Sequence, residues 1–255
     1  MSKPILTLKN VSTVVNQGTS HELTILNQIN LEINEGDFIT IVGTNGAGKS
    51  TLFNVISGLI PVSSGQVLHQ GKDITKLSEE AHPEFLSRVF QDPKMGTAPR
   101  MTVAENLLLA LKRGENRFLK PRNLKSHLQE FHTLAKTMNN GLEDRLNTAT
   151  GSLSGGQRQA LSFLMAVIKR PDVILLDEHT AALDPHTSAS LMAATDQHIV
   201  EDHLTALMIT HQLEDAIKYG NRLLVLKEGK IEADFAGEKK KNLTTEELYE
   251  YLERA

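Results

Sequence analysis

The most specific chemistry in the chain lies in Gly43-Thr44-Asn45-Gly46-Ala47-Gly48-Lys49-Ser50-Thr51. The stretch fits G-x-x-x-x-G-K-[ST] at every position, a loop whose glycines let backbone N–H groups curl around phosphate oxygens. In such a loop Lys49 gives a point charge to the β- and γ-phosphates, and the Ser50 hydroxyl is placed to ligate Mg²⁺. A chance Gly-rich turn before a helix is the competing reading. Strand-like Phe38–Val42 upstream and helical spacing of Leu52, Val55, Ile56 and Leu59 downstream weigh against it. A nucleoside triphosphate site is expected.

Four further places carry groups suited to phosphate chemistry. Asp177-Glu178 follows the apolar run Val173-Ile174-Leu175-Leu176, and ligands of open α/β sheets bind at the carboxyl ends of strands. The two acids' side chains are expected to point to opposite sides of the strand, and so to do different jobs. Simple capping of the next element is the alternative. Leu153-Ser154-Gly155-Gly156-Gln157 precedes a periodic helix with Leu161, Leu164, Met165 and Ile168 on one face. Ser154 is a good N-cap, and the two glycines leave the N–H groups of the first turn uncovered, as in an anion cradle. A capped, Gly-weakened helix start is the bland alternative. Gln91 and His211 each follow a short apolar strand, where a lone Gln is usually solvated and a lone His usually structural.

The elements that position these groups alternate along the chain. Residues 5–9 and 23–35 alternate apolar and polar, as half-exposed antiparallel strands do. Gln66–His69, a turn at Gln70-Gly71-Lys72, and Asp73-Ile74 read as a hairpin. Pro61 and Ser63-Ser64-Gly65 are expected to end the helix that follows the phosphate loop. Ser87–Phe90 is a short strand, and 92–99 is loop by its Pro and Gly content. Thr102 with Glu105 opens a helix to about Lys112, and Leu124 to Met138 is helical in pattern. Between them, residues 112–125 carry a mostly basic run, read as a solvated connection. Ala206–Ile209 is a buried strand, Asp184-Pro185 an N-cap with Pro at N1, and Arg222–Phe235 a closing hairpin. Thr244 with Glu247 caps a last short helix.

Composition sets the bounds. The 255 residues suffice for one domain with an embedded subdomain, and 40% hydrophobic with 23% charged is ordinary for a globular chain. A net charge of −4 gives no long-range pull towards nucleic acid or anionic lipid. No run approaches the ~18 apolar residues that span a bilayer. The start Met1-Ser2-Lys3-Pro4 leads into Ile5 without a signal-like apolar region, and no cysteine is present. A cytoplasmic protein is expected, with any membrane link made through a partner.

Taken in order, Gly43–Thr51, Gln91, Leu153–Gln157, Val173–Glu178, Ala182-Leu183-Asp184 and His211 resemble the motif set of ABC-transporter ATPase subunits over nearly the whole chain. The Leu-Ser-Gly-Gly-Gln pentapeptide is that family's signature. The resemblance implies an α/β fold over 1–255: a P-loop NTPase (RecA-like) core, an antiparallel β subdomain, and a helical subdomain inserted at about 95–170. It implies ATP and Mg²⁺ as ligands, with Gly43, Asn45, Gly46, Ala47, Gly48, Lys49, Ser50 and Thr51 on the phosphates. Ser50, Gln91 and Asp177 would serve the metal. Glu178 is similar to the general base, Gln91 to the glutamine that senses Mg²⁺ and water, and His211 to the switch histidine at the γ-phosphate. Ser154, Gly155, Gly156, Gln157 and Asp184 would face the nucleotide of a second copy, head to tail. Such a dimer gives each of the chain's two phosphate cradles an opposite.

The same resemblance implies transmembrane permease subunits as partners, an extracytoplasmic solute-binding lipoprotein acting indirectly, no nucleic acid, and a place on the cytoplasmic face of the membrane. Val89–Pro99 resembles a subfamily of lipoprotein-dependent importers of aromatic amino acids. An exporter ATPase, a soluble ABC ATPase outside transport and a small-molecule kinase are the rivals. The kinase would not need the pentapeptide. Two positions depart from the family. No aromatic precedes Phe38, so the usual adenine platform falls at about Val15, and weaker base discrimination is expected. His179 stands where proline is usual and reads as a tolerated substitution.

Overall fold

The computed structural model describes residues 4–114 and 123–253. In chain order the strands and helices begin with β1 (Leu6–Val15), β2 (Leu23–Ile33), β3 (Phe38–Val42), α1 (Lys49–Ile56), β4 (Ser64–His69) and β5 (Lys72–Asp73). There follow β6 (Leu86–Val89), α2 (Val103–Leu111), α3 (Leu128–Lys136), α4 (Gly155–Val167), β7 (Val173–Asp177) and α5 (Pro185–Glu201). The chain closes with β8 (Ala206–Ile209), α6 (Leu213–Lys218), β9 (Arg222–Lys227), β10 (Lys230–Ala236), α7 (Glu238–Lys241) and α8 (Thr245–Glu253). These elements form two compact units, Met1–His82 with Leu204–Ala255, and Pro83–His203.

The first unit contains the antiparallel sheet β2-β1-β4-β5. In β2, Leu26, Ile29, Leu31 and Ile33 are buried while Asn30 and Glu32 are exposed. The step of three from Leu26 to Ile29 keeps both inside because Gln28 adopts φ 53° and takes up the extra residue as a bulge. Asn10, φ 49°, does the same in β1 and carries the strand on to Val15, beyond the expected end at Lys9. The unit also holds β3 between parallel β8 and β9, with β10 antiparallel on β9. Every residue of β3 is buried, as a strand covered on both faces requires. Val42, its last residue, lies in a cluster with Ala216, Leu223, Val225, Leu243 and Leu248, so α8 packs against the end of β3. Helix α1 stops at Ile56, earlier than Leu59, because Gly58 and Leu59 donate back to the Val55 and Asn54 carbonyls and close it.

In the second unit β6 and β7 are parallel neighbours, Val89 opposite Leu176. The Thr102–Glu105 capping box forms as expected at α2. Residues 124–127 make a tight 3₁₀ turn before α3 rather than its first turn. Ser126 donates its hydroxyl to the Asn123 carbonyl at 2.7 Å, a local bond that competes with the helix. The basic run of 112–125 lies largely outside the described residues.

Candidate functional site

In the first unit the phosphate loop leaves the carboxyl end of β3 and enters α1 through Gly48. Gly48 has φ 99°, and a Cβ there would stand 3.0 Å from the Ile25 carbonyl oxygen and from Leu26 Cδ2. Only glycine suits both the dihedral and the approach. No side chain caps this helix start, which leaves its first-turn amides to a ligand. Lys49 is buried and folds over the loop, its Nζ donating to the Gly43 carbonyl at 2.7 Å and the Thr44 carbonyl at 3.0 Å. Ser50 is exposed beside it and Thr51 half-buried. His211 follows β8, and Thr210 N–H bonds the Ile41 carbonyl at 3.3 Å. The loop and His211 therefore leave adjacent parallel strands at the same end.

The second unit collects the acidic and signature residues. Strand β7 ends on Asp177, and Glu178 turns out of the strand at φ 46°. The two carboxylates thus differ through a backbone turn, not through strand alternation as the sequence suggested. A non-glycine residue held at positive φ stores strain of the sort found at active sites. Gln91, just past β6, donates its amide to Glu178 Oε2 at 3.2 Å. Arg88, inside β6, pairs with Asp177 Oδ2 at 2.5 Å. The next residue, His179, is 2% exposed, with its Nε2 3.5 Å from Thr195 Oγ1 on α5. Burial pushes its imidazole down to about 4, so it is a neutral packed group.

At the signature, Ser154 caps α4 through a complete capping box. Its Oγ accepts from Gln157 N–H at 3.2 Å, and Gln157 Oε1 accepts from Ser154 N–H at 3.3 Å. Ser154 is thus the N-cap expected, and it engages the amide of Gln157. Asp184 caps α5, accepting from Thr187 N–H at 3.1 Å, with Pro185 at N1. The Thr187 hydroxyl and N–H hold the Asp184 carboxyl below the usual range. The Thr187 methyl also lies 2.3 Å from where a Cβ of Gly156 would stand. Thr187 thus joins the signature helix to the Asp184 loop.

Sequence reading missed Thr187 and Arg88. A full charge inside the apolar run Leu86–Phe90 was the available signal for the second. Val15, at the position where the resemblance puts the missing aromatic platform, is 36% exposed opposite the 57% exposed Leu23 on β2. Among the described residues no helix is long and apolar enough to cross a membrane.

Residues 26–181 match the ABC transporter family. A tyrosine transport ATP-binding protein of Clostridioides difficile is 43% identical over 98% of this chain and 100% of its own length. A phosphonates import ATP-binding protein of Lactococcus lactis subsp. cremoris is 32% identical over 96% of this chain and 98% of its own. Among solved structures, a dimeric ATP-binding cassette in a post-hydrolysis state with ADP and Pi superposes with TM-score 0.77 at 28% identity, covering 91% of this chain and 98% of that one. The ADP conformation of another ABC-transporter cassette gives 0.78 at 25% identity, covering 99% and 100%. The fold is the α/β P-loop NTPase fold expected, the chemistry is ATP hydrolysis, and the chain belongs to the ABC transporter family as an ATP-binding subunit.

Proposed function

We propose that two copies of this chain close head to tail around two Mg-ATP and that hydrolysis drives solute import through separate membrane permease subunits. The observation that carries the reading is that one chain has two differently built glycine-containing helix starts, at Gly48 and at Ser154, each suited to an anion. A single nucleotide needs one phosphate loop, so the second start is free to serve a partner's nucleotide.

Within each site, Gly43, Asn45, Gly46, Ala47, Gly48 and Thr51 wrap the phosphates, and Lys49 exchanges its loop carbonyls for β- and γ-phosphate oxygens. The donor set suits Mg²⁺, because Ser50, Gln91 and Asp177 offer only hard oxygen ligands or orient waters that do. Bound there, the ion would neutralise charge on the phosphate oxygens. Glu178 accepts the proton of the attacking water, and its bond from Gln91 fixes the carboxylate for that task. His211 contacts the γ-phosphate of the same nucleotide. Ser154, Gly155, Gly156 and Gln157 of the other copy close on that phosphate, and Asp184 lines the interface between copies.

The relative named for tyrosine transport supports an aromatic amino acid as cargo. The absence of a membrane-length helix among the described residues agrees with a subunit held at the cytoplasmic face by its permease. An extracytoplasmic lipoprotein would deliver the cargo on the far side. Glu178→Gln protein tests the reading: ATP should double its mass in solution, because binding is kept while hydrolysis stops. A mass unchanged by ATP would sink it and leave an ordinary Mg-ATP binder.

A further inference from the structure

We propose that Arg88 is an internal counter-cation that shares the Asp177 carboxylate with the divalent ion and so sets how much metal the ATPase requires. The inference rests on the reading of Asp177 given above. Arg88 lies on β6 opposite Leu175 of β7, two residues before the acid. Its Nη2 donates to Asp177 Oδ2 at 2.5 Å, and the two side chains are only 10% and 13% exposed. The guanidinium sits over the Phe90 ring, 5.0 Å from its centroid, which fixes it from a second side. Gln91, on the same segment, holds Glu178. One short stretch therefore supplies a donor to each of the two successive acids, and only the donor to Asp177 carries charge.

A guanidinium keeps its proton at every accessible pH, so this charge is permanent. It occupies one carboxylate oxygen and cancels part of the negative potential that Asp177 offers to another cation. A pair with so little exposure is weakly screened by salt. The consequence runs opposite to that of a salt bridge that only holds strands together. Removing the charge should make the metal bind more tightly, whereas loosening a scaffold would make it bind less tightly.

The test is Mn²⁺ titrated into the full chain loaded with a non-hydrolysable ATP analogue, with free Mn²⁺ read by electron paramagnetic resonance. Arg88→Gln and Arg88→Met should both tighten Mn²⁺ by about tenfold, the scale of one nearby unit charge at a partly buried site. Arg88→Lys keeps the charge and should stay near the parent value. In an Asp177→Asn background Arg88→Gln should add nothing. Arg88→Gln retains an amide donor for Asp177, so it guards against misfolding of the Met variant. Unchanged or weaker Mn²⁺ binding in Arg88→Gln would overturn the proposal. Equal shifts in Arg88→Lys and Arg88→Gln would overturn it as well. Asp177→Asn protein with the parent's Mn²⁺ affinity would overturn the assignment of Asp177 itself, a distinguishable failure.

Discussion

The helix starts at Gly48 and at Ser154 offer the same physical device, amides at a positive dipole end, in opposite states. At Gly48 no side chain caps the helix, and Lys49 rests on carbonyls of its own loop. At Ser154 the capping box satisfies both Ser154 and Gln157, and Thr187 packs against Gly156. The first is built to receive a ligand with little rearrangement. The second is closed on itself, and an incoming phosphate must compete with an internal bond. On the proposed head-to-tail reading, a chain with one cradle open and one latched would bind nucleotide first and engage the second copy afterwards. Breaking the latches of the second unit should therefore change its stability while leaving nucleotide affinity of the monomer, set by the phosphate loop, unchanged.

The largest effect is expected at His179. Its imidazole is held at about 4 by burial, against an ordinary value near 6.5. Between those values the unfolded chain binds a proton that the folded chain refuses, so stability rises with pH across the window. The contribution is complete above the unfolded value and lost as pH falls towards 4, about 3 kcal/mol in all. His179→Gln should flatten this acid limb in urea unfolding measured between neutral and acid pH. An unchanged slope would mean that the ring is accessible to water and that the segment after Glu178 is not latched onto α5.

Next comes Gly156→Ala. The added Cβ meets the Thr187 methyl, and relief requires moving α4 or α5, which costs about 1–3 kcal/mol. Thr187→Ser deletes that methyl and keeps the N–H that Asp184 accepts. The double variant should recover most of the loss in thermal melting. Failure of this rescue would show that the added Cβ is crowded by something other than the Thr187 methyl.

The residues that differ most between the two starts were unequally legible in the sequence. The phosphate loop, the Asp184-Pro185 and Ser154 caps, the strand ends that carry Asp177 and His211, and the capping boxes at 102 and 244 all rest on local spacing, which sequence records directly. The bulges at Asn10 and Gln28 escaped because a left-handed residue in a strand leaves only a skipped beat in the alternation. The left-handed Glu178 escaped because continuation of the strand is the default for two acids after an apolar run. Arg88, Thr187 and the burial of His179 depend on partners distant in sequence, at Asp177, Gly156 and Thr195. Only Arg88 left a local trace, a full charge inside the apolar run Leu86–Phe90, and that trace does not name its partner.

Ser154→Ala gives the smallest effect and the most direct one. The hydroxyl accepts from Gln157 N–H, so its loss should cost about 1 kcal/mol. For a chain of this size that corresponds to melting lower by about 2–4 °C without nucleotide. A side chain serving only an incoming phosphate would leave that melting temperature untouched and weaken only the ATP-induced dimer. A drop in melting without nucleotide, together with a weaker dimer in the Glu178→Gln background, would show one oxygen used in turn by its own helix and by a partner's nucleotide. Loss of the dimer alone would mean that Gln157 finds another acceptor, and the second cradle would then be as open as the first.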